Sequence, residues 1–193
     1  NVGDEYAAHP SSVGKLNPTA DLRIVADGCD LGINELGELW FRSPQIAHGY
    51  WNNPEATAES FVDGWWRTGD VGYVDDDGFI YVVDRIKDVI IRGGENVYCV
   101  EIESVLFTHP DVLDVAAIGI PDESLGERVC AVVIPQPGRR PTLADLRDFA
   151  AARLAYFKLP ESVRLVDDVP RTATGKIAKR QLRDELRTDT LHT

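Results

Sequence analysis

With 193 residues, 44% of them hydrophobic, this chain can bury one or two ordinary cores. Its formal charge of -12 at pH 7 argues against nucleic acid or an anionic membrane as a partner, and no apolar run reaches the ~20 residues of a membrane span. Cys29, Cys99 and Cys130 are scattered without pairing or zinc spacing, which points to buried thiols in a reducing, cytoplasmic setting and to no structural metal.

The opening NVGDEYAAHP has neither the basic region nor the apolar core of a signal peptide, and a start without methionine in a polar stretch reads as part of something longer. From Ala20 to Arg85, short apolar runs (LRIVADG, GELWFRSP, VGYVDDDGFIYVVD) alternate with turn clusters and predict antiparallel strands. Asp75, Asp76 and Asp77 resemble the start of a calcium loop. No ligands follow at EF-hand spacing, however, and Asp77-Gly78 between two apolar runs predicts a hairpin. Asn53 before Pro54 predicts the cap and first turn of a short helix reaching Phe61.

After Lys87 the pattern changes. DVIIRGGENVY predicts a strand and a glycine turn, and CVEIESVLFTHP predicts a helix with Val100, Ile102, Val105 and Leu106 on its apolar face. DVLDVAAIGIP and RVCAVVIP are β-rich. Thr142 and Asp145 form a capping box ahead of Leu143, Leu146, Phe149 and Leu154, and SVRLVDDV is a further strand before a last helix containing Leu182 and Leu186. The expected class is α+β, with a small α+β domain beginning near Arg85 to Lys87.

Between that strand and the last helix stands RTATGKIAKR, a small and flexible loop presenting Lys176 behind Gly175. A nucleotide P-loop needs glycine where Pro170 stands and Ser or Thr where Ile177 stands, so this loop does not cradle phosphates in that manner.

Four stretches taken together resemble the adenylate-forming superfamily of acyl-CoA synthetases, luciferases and peptide-synthetase adenylation domains: GELWFRSPQIAHGYWNNPEAT, GWWRTGDVGYVDDDGFIYVVDRIKDVIIRGGENVYCVEIE, LAYFKLP and VPRTATGKIAKRQLR. Their order and spacing cover most of residues 13 to 187. The resemblance implies residues 1–85 as the last subdomain, a distorted antiparallel β-barrel, of a large N-terminal portion. Residues 86–193 would be the mobile C-terminal domain, with a short mixed sheet and flanking helices. It implies a reaction in two steps: a carboxylate attacks ATP to give acyl-AMP and pyrophosphate, then coenzyme A displaces AMP to give a thioester.

By the same resemblance, Lys176 is the catalytic lysine, whose charge offsets the repulsion between carboxylate and α-phosphate. Asp70 and Arg85 lie at the ribose, Lys87 is the hinge between the domains, and Gly93 and Gly94 line the channel for pantetheine. The plainer alternatives are a turn residue for Asp70, a surface ion pair of Arg85 with Asp84 or Asp88, and a positive-φ turn for the two glycines. Trp65 and Trp66 read as packing residues, and His48 and His109 receive no role. Cys99 stands where proline is common in the family, at a helix start that favours proline without requiring it.

The run after the hinge looks most like fatty and aromatic acyl-CoA ligases, which makes a fatty acid, ATP with Mg2+, and coenzyme A the expected substrates of the complete enzyme. The family's phosphate loop, acyl pocket and magnesium-holding residues have no counterpart in these 193 residues, so the chain by itself is expected not to adenylate. Three other readings compete with a CoA ligase: a fatty acyl-AMP ligase serving a carrier protein, a truncated non-catalytic paralogue acting as a binding or partner module, and a free-standing nucleotide sensor using Asp70 and Arg85.

Overall fold

The computed structural model describes residues 4–190, and the chain forms two compact units, Asn1–Lys87 and Asp88–Thr193. The class is α+β.

The first unit contains α1 (Asp4–Ala8), β1 (Gly14–Lys15), β2 (Asp21–Ala26), β3 (Cys29–Asp30), β4 (Gly37–Arg42), α2 (Pro54–Ser60), β5 (Phe61–Val62), β6 (Trp65–Val74) and β7 (Phe79–Arg85). Its antiparallel sheet runs β1-β7-β6-β4-β2-β3, with β5 also on β6, and is open at its two end strands. The register slips between Glu38 and Trp40 and again between Val71 and Gly72, so the sheet is distorted on both sides of β6. The Asp-Gly turn forms as predicted, with Asp75 Oδ1 accepting the N–H groups of Asp77 and Phe79 at 3.0 and 2.8 Å. The short helix α2 starts as its sequence dictates: Asn53 Oδ1 accepts the Ala56 N–H at 3.1 Å, and Pro54 occupies a position that needs no donor.

Ile24, Leu39 and Ile80 centre the small core of this unit. Trp65 serves packing, lying beneath the guanidinium groups of Arg42 (4.5 Å) and Arg23 (5.3 Å), while Trp66 stacks on Phe61. Cys29 departs from the expectation of buried thiols. It sits exposed on the two-residue end strand β3, whereas Cys99 and Cys130 are buried.

The second unit contains β8 (Ile90–Arg92), β9 (Glu95–Val97), α3 (Cys99–Leu106), β10 (Val112–Asp122), β11 (Gly126–Pro135), α4 (Leu143–Ala151), β12 (Ser162–Leu165) and α5 (Lys179–Thr190). Strand β11 organises it, pairing antiparallel with β10 and β8 and parallel with β12. The continuous apolar character of β10 and β11 follows from two-sided burial. Val115, Ala117, Val129, Ala131 and Val133 join α3 and α4 in one core, and the alternate residues Ala116, Ile118, Cys130 and Val132 join Val169 and Leu182 of α5 in another. Helix α4 carries the predicted capping box, with Thr142 and Asp145 each bonded to the other's backbone N–H.

Helix α3 turns a slightly different face inward than its sequence suggested. Cys99, Ile102 and Leu106 are buried at helical spacing while Val100 is 43% exposed, because the Cys99 side chain occupies the core position next to Ile90 and Val97. Among the described residues no helix is long and apolar enough to cross a membrane.

Candidate functional site

Asp70 sits where β6 is most irregular. Gly69 takes φ +71°, the Thr68 hydroxyl donates to Leu39 O at 2.8 Å, and Glu38 Oε1 accepts the Gly69 N–H at 3.0 Å. The Asp70 N–H in turn donates to Thr68 Oγ1 at 3.0 Å. The register slip that follows, between Val71 and Gly72, makes Asp70 one of the last residues of β6 in its first pairing frame with β7, and such bulges are common beside functional sites.

Register places Arg85 of β7 directly opposite, and its Nε lies 2.9 Å from Asp70 Oδ1. Asp70 is thus the partner of Arg85, where the plainer reading had offered Asp84 or Asp88. Successive strand residues face opposite ways, so Asp84 turns inward to 5% exposure, with Oδ1 on the Arg85 N–H, while Arg85 faces out. With side chains 26% and 56% exposed, the pair contributes only about 0–1 kcal/mol to stability, so its consequence is positional. Among the described residues Arg85 alone binds the Asp70 carboxylate, and Oδ2 remains an available acceptor.

Lys176 lies in a turn closed by backbone bonds, not in a loose loop. Arg171 and Ile177 form an antiparallel bridge, Thr172 N–H donates to Lys176 O at 2.7 Å, and Gly175 N–H donates to Thr172 O at 2.9 Å with Gly175 at φ +83°. Arg171 ties the turn to the start of β10 through Asp114 Oδ2 at 2.6 Å. The Lys176 side chain is exposed, and no ion pair among the described residues involves it.

Gly93 and Gly94 form the tight turn between β8 and β9, with φ +58° and +88°. The turn is fastened at the opposite end of β10. Gly93 N–H donates to Leu125 O at 2.7 Å, and Arg92 Nη2 and Nε reach the two carboxylate oxygens of Glu161 at 2.9 and 3.0 Å, holding the Glu161 carboxyl below its usual range. Asp122 organises the facing β10–β11 turn. Its Oδ1 accepts from the Ser124 hydroxyl and from the N–H groups of Ser124 and Leu125, which brings its pKa to about 2 from an ordinary 3.8.

A folded-state pKa below the unfolded one gives stability that is fully present above the unfolded value and is lost as pH falls through the folded value. Amide protection at Gly93 is therefore expected to weaken as pH drops from about 3.8 towards 2, and Asp122→Asn should remove that dependence. Hydrogen exchange of the Gly93 amide across that range checks this.

Lys87 lies exposed in a short 3₁₀ turn, Ile86–Asp88, at the last position of the first unit. Among the described residues no group of three or more His, Cys, Asp or Glu side chains could hold a metal ion.

The sequence offered Asp88 only as a partner for Arg85 and did not point to Arg183, yet the two pair at 3.0 Å within the second unit. The one available signal was Lys179 and Arg183 four apart beside Leu182 and Leu186, which marks a charged border to an apolar stripe but names no partner.

Residues 101–176 match the family described as AMP-binding enzyme C-terminal domain. The chain is 47% identical over 161 residues to a fatty acid–[acyl-carrier-protein] ligase of Streptomyces coeruleorubidus, covering 83% of this chain and 31% of the relative. It is 44% identical to a 2-succinylbenzoate–CoA ligase of Geobacillus kaustophilus, covering 89% of this chain and 35% of the relative. Among solved structures, o-succinylbenzoate CoA synthetase from Bacillus subtilis in complex with its acyl-adenylate intermediate superposes with a TM-score of 0.86 at 35% identity, covering 95% of this chain and 38% of that one. The chain thus spans about a third of the length of the curated relatives it matches.

Proposed function

Since this chain belongs to the AMP-binding, adenylate-forming enzymes and carries their C-terminal domain, we propose that it is the C-terminal part of an ATP-dependent fatty acid–CoA ligase, its second unit being the part that moves. In this reading the Asp70 carboxylate accepts hydrogen bonds from the ribose hydroxyls through its available oxygen while Arg85 fixes its rotamer. Lys176 brings an ammonium to the charge that builds up as a carboxylate attacks the α-phosphate and pyrophosphate leaves. The Gly93–Gly94 turn then borders the path by which the thiol of coenzyme A reaches the acyl carbonyl and expels AMP. Lys87 is the pivot between the two arrangements.

The single observation that carries this reading is the separation of the two candidate elements within the second unit. The Lys176 turn is tied to Asp114 and the Gly93 turn faces the 122–125 turn. These anchor points are eight residues apart along β10, roughly 25 Å at strand rise. Two elements this far apart on one strand support a unit that presents them to one reaction centre in turn.

The test is a chimaera in which this chain replaces the matching third of a curated relative. Pyrophosphate release with the relative's own carboxylate, followed by thioester formation with coenzyme A, is the expected result. A folded chimaera that completes neither step overturns the reading, and this chain assayed by itself should release no pyrophosphate. The likeness to a carrier-protein ligase favours one second reading, in which the acceptor thiol is that of a carrier protein. The same chimaera offered coenzyme A and a phosphopantetheinylated carrier side by side separates the two.

A further inference from the structure

The chain between the two units is fastened on each side of a two-residue gap. On the near side, Arg85 is held within the first unit by Asp70 at 2.9 Å, and its backbone N–H donates to the buried Asp84 at 2.8 Å. On the far side, Asp88 is held within the second unit at two points. Its Oδ1 pairs with Arg183 Nη2 at 3.0 Å, in a bridge whose side chains are only 18% and 13% exposed, and its backbone O accepts from Cys99 Sγ at 2.8 Å. Ile90, two residues on, is already 1% exposed in the main core. Between these anchors Ile86 and Lys87 are exposed, and among the described residues no hydrogen bond or ion pair holds either side chain.

Resting on the reading of a mobile second unit, we infer that Arg183 is a positioning residue that sets where the chain pivots. It fastens Asp88 to α5, the helix that leaves the Lys176 turn directly, and so confines rotation to Ile86 and Lys87. Helix α5 is itself locked to its unit by the buried Leu182 and by Lys179, whose Nζ lies 2.7 Å from Glu103 Oε1. Arg183 thereby closes a stiff connection from the pivot to the Lys176 turn: Asp88 to α5, and α5 to the segment Lys176–Lys179. A slack joint at Asp88 would instead let the second unit turn without a fixed axis, and Lys176 would arrive over a spread of positions. The Cys99 thiol adds a second point of attachment that a proline at that position could not supply.

The experiment is backbone 15N relaxation on the whole chain. The native protein is expected to show its lowest order at Ile86 and Lys87, with Asp88 and Val89 near the rigid value of ~0.85, and Arg183→Ala should bring these two below ~0.6 while residues 112–135 stay rigid. Arg183→Lys, which keeps a single charged donor, should restore most of the order at Asp88. Unchanged order at Asp88 in Arg183→Ala with the sheet intact overturns the inference, and if that variant does not fold, Asp88→Ala provides the same comparison. In the chimaera, Arg183→Ala is expected to lower kcat for the complete reaction about tenfold at unchanged KM, since only positioning is lost. A chimaera inactive with Arg183 in place would count against the ligase reading alone, and the relaxation data would still decide the joint.

Discussion

Lys176→Ala in the chimaera is expected to lower pyrophosphate release from ATP and the carboxylate by 10²–10³-fold, roughly the loss seen when one preorganised group is removed from developing charge. The fold should not register the change, because the Lys176 side chain is exposed and its turn is closed by backbone bonds from Thr172 and Gly175. Unfolding by denaturant should therefore give the same midpoint, which separates a chemical loss from a structural one. Lys176→Arg should not recover the rate, since a wide planar fork does not replace a compact ammonium on a flexible stem. Thioester formation from preformed acyl-adenylate should be nearly unaffected, because in that step Lys176 lies at the far end of β10 from the glycine turn. A loss equal in both steps would remove Lys176 from the role assigned to it.

Much of this architecture was legible in the sequence, for physical reasons that differ by element. Strands β10 and β11 stood out because burial on both faces requires an unbroken apolar run, and α4 because its capping box is a local bond between residues three apart. The strands that escaped, β1, β3, β5 and β9, are two or three residues long, and so short a segment carries no alternation to read. At the site, the residue types were legible but their partners were not. Arg85 has Asp84 beside it in sequence, yet the pleat turns Asp84 inward and the β6–β7 register delivers Asp70 instead. Asp88 finds Arg183 across ninety-five positions, a pairing set by how α5 packs and by nothing local. The Lys176 turn read as flexible because Gly, Thr and Ala are small, but closure of a turn by its own backbone leaves no trace in side-chain composition.

Gly94 separates a requirement of the fold from a requirement of the reaction. At φ +88° any side chain is strained, yet a Cβ built there meets nothing within 4 Å of this chain. The objection to a side chain is therefore conformational within this chain, and any steric objection must come from outside it. Gly94→Ala confounds the two, because alanine tolerates positive φ poorly. Gly94→Asn resolves them, because asparagine adopts left-handed backbone more readily while carrying a larger side chain. The expected result is that Gly94→Asn keeps the amide protection of the β8–β9 turn and leaves pyrophosphate release by the chimaera within about twofold, yet slows thioester formation on the order of 10²-fold, as a reacting thiol displaced by an ångström would be. Measured as two half-reactions, that split assigns the turn to the path of the thiol. Equal thioester rates for Asn and Gly at this position, in a protein whose turn is intact, would leave the paired glycines with only the tight turn that joins β8 to β9.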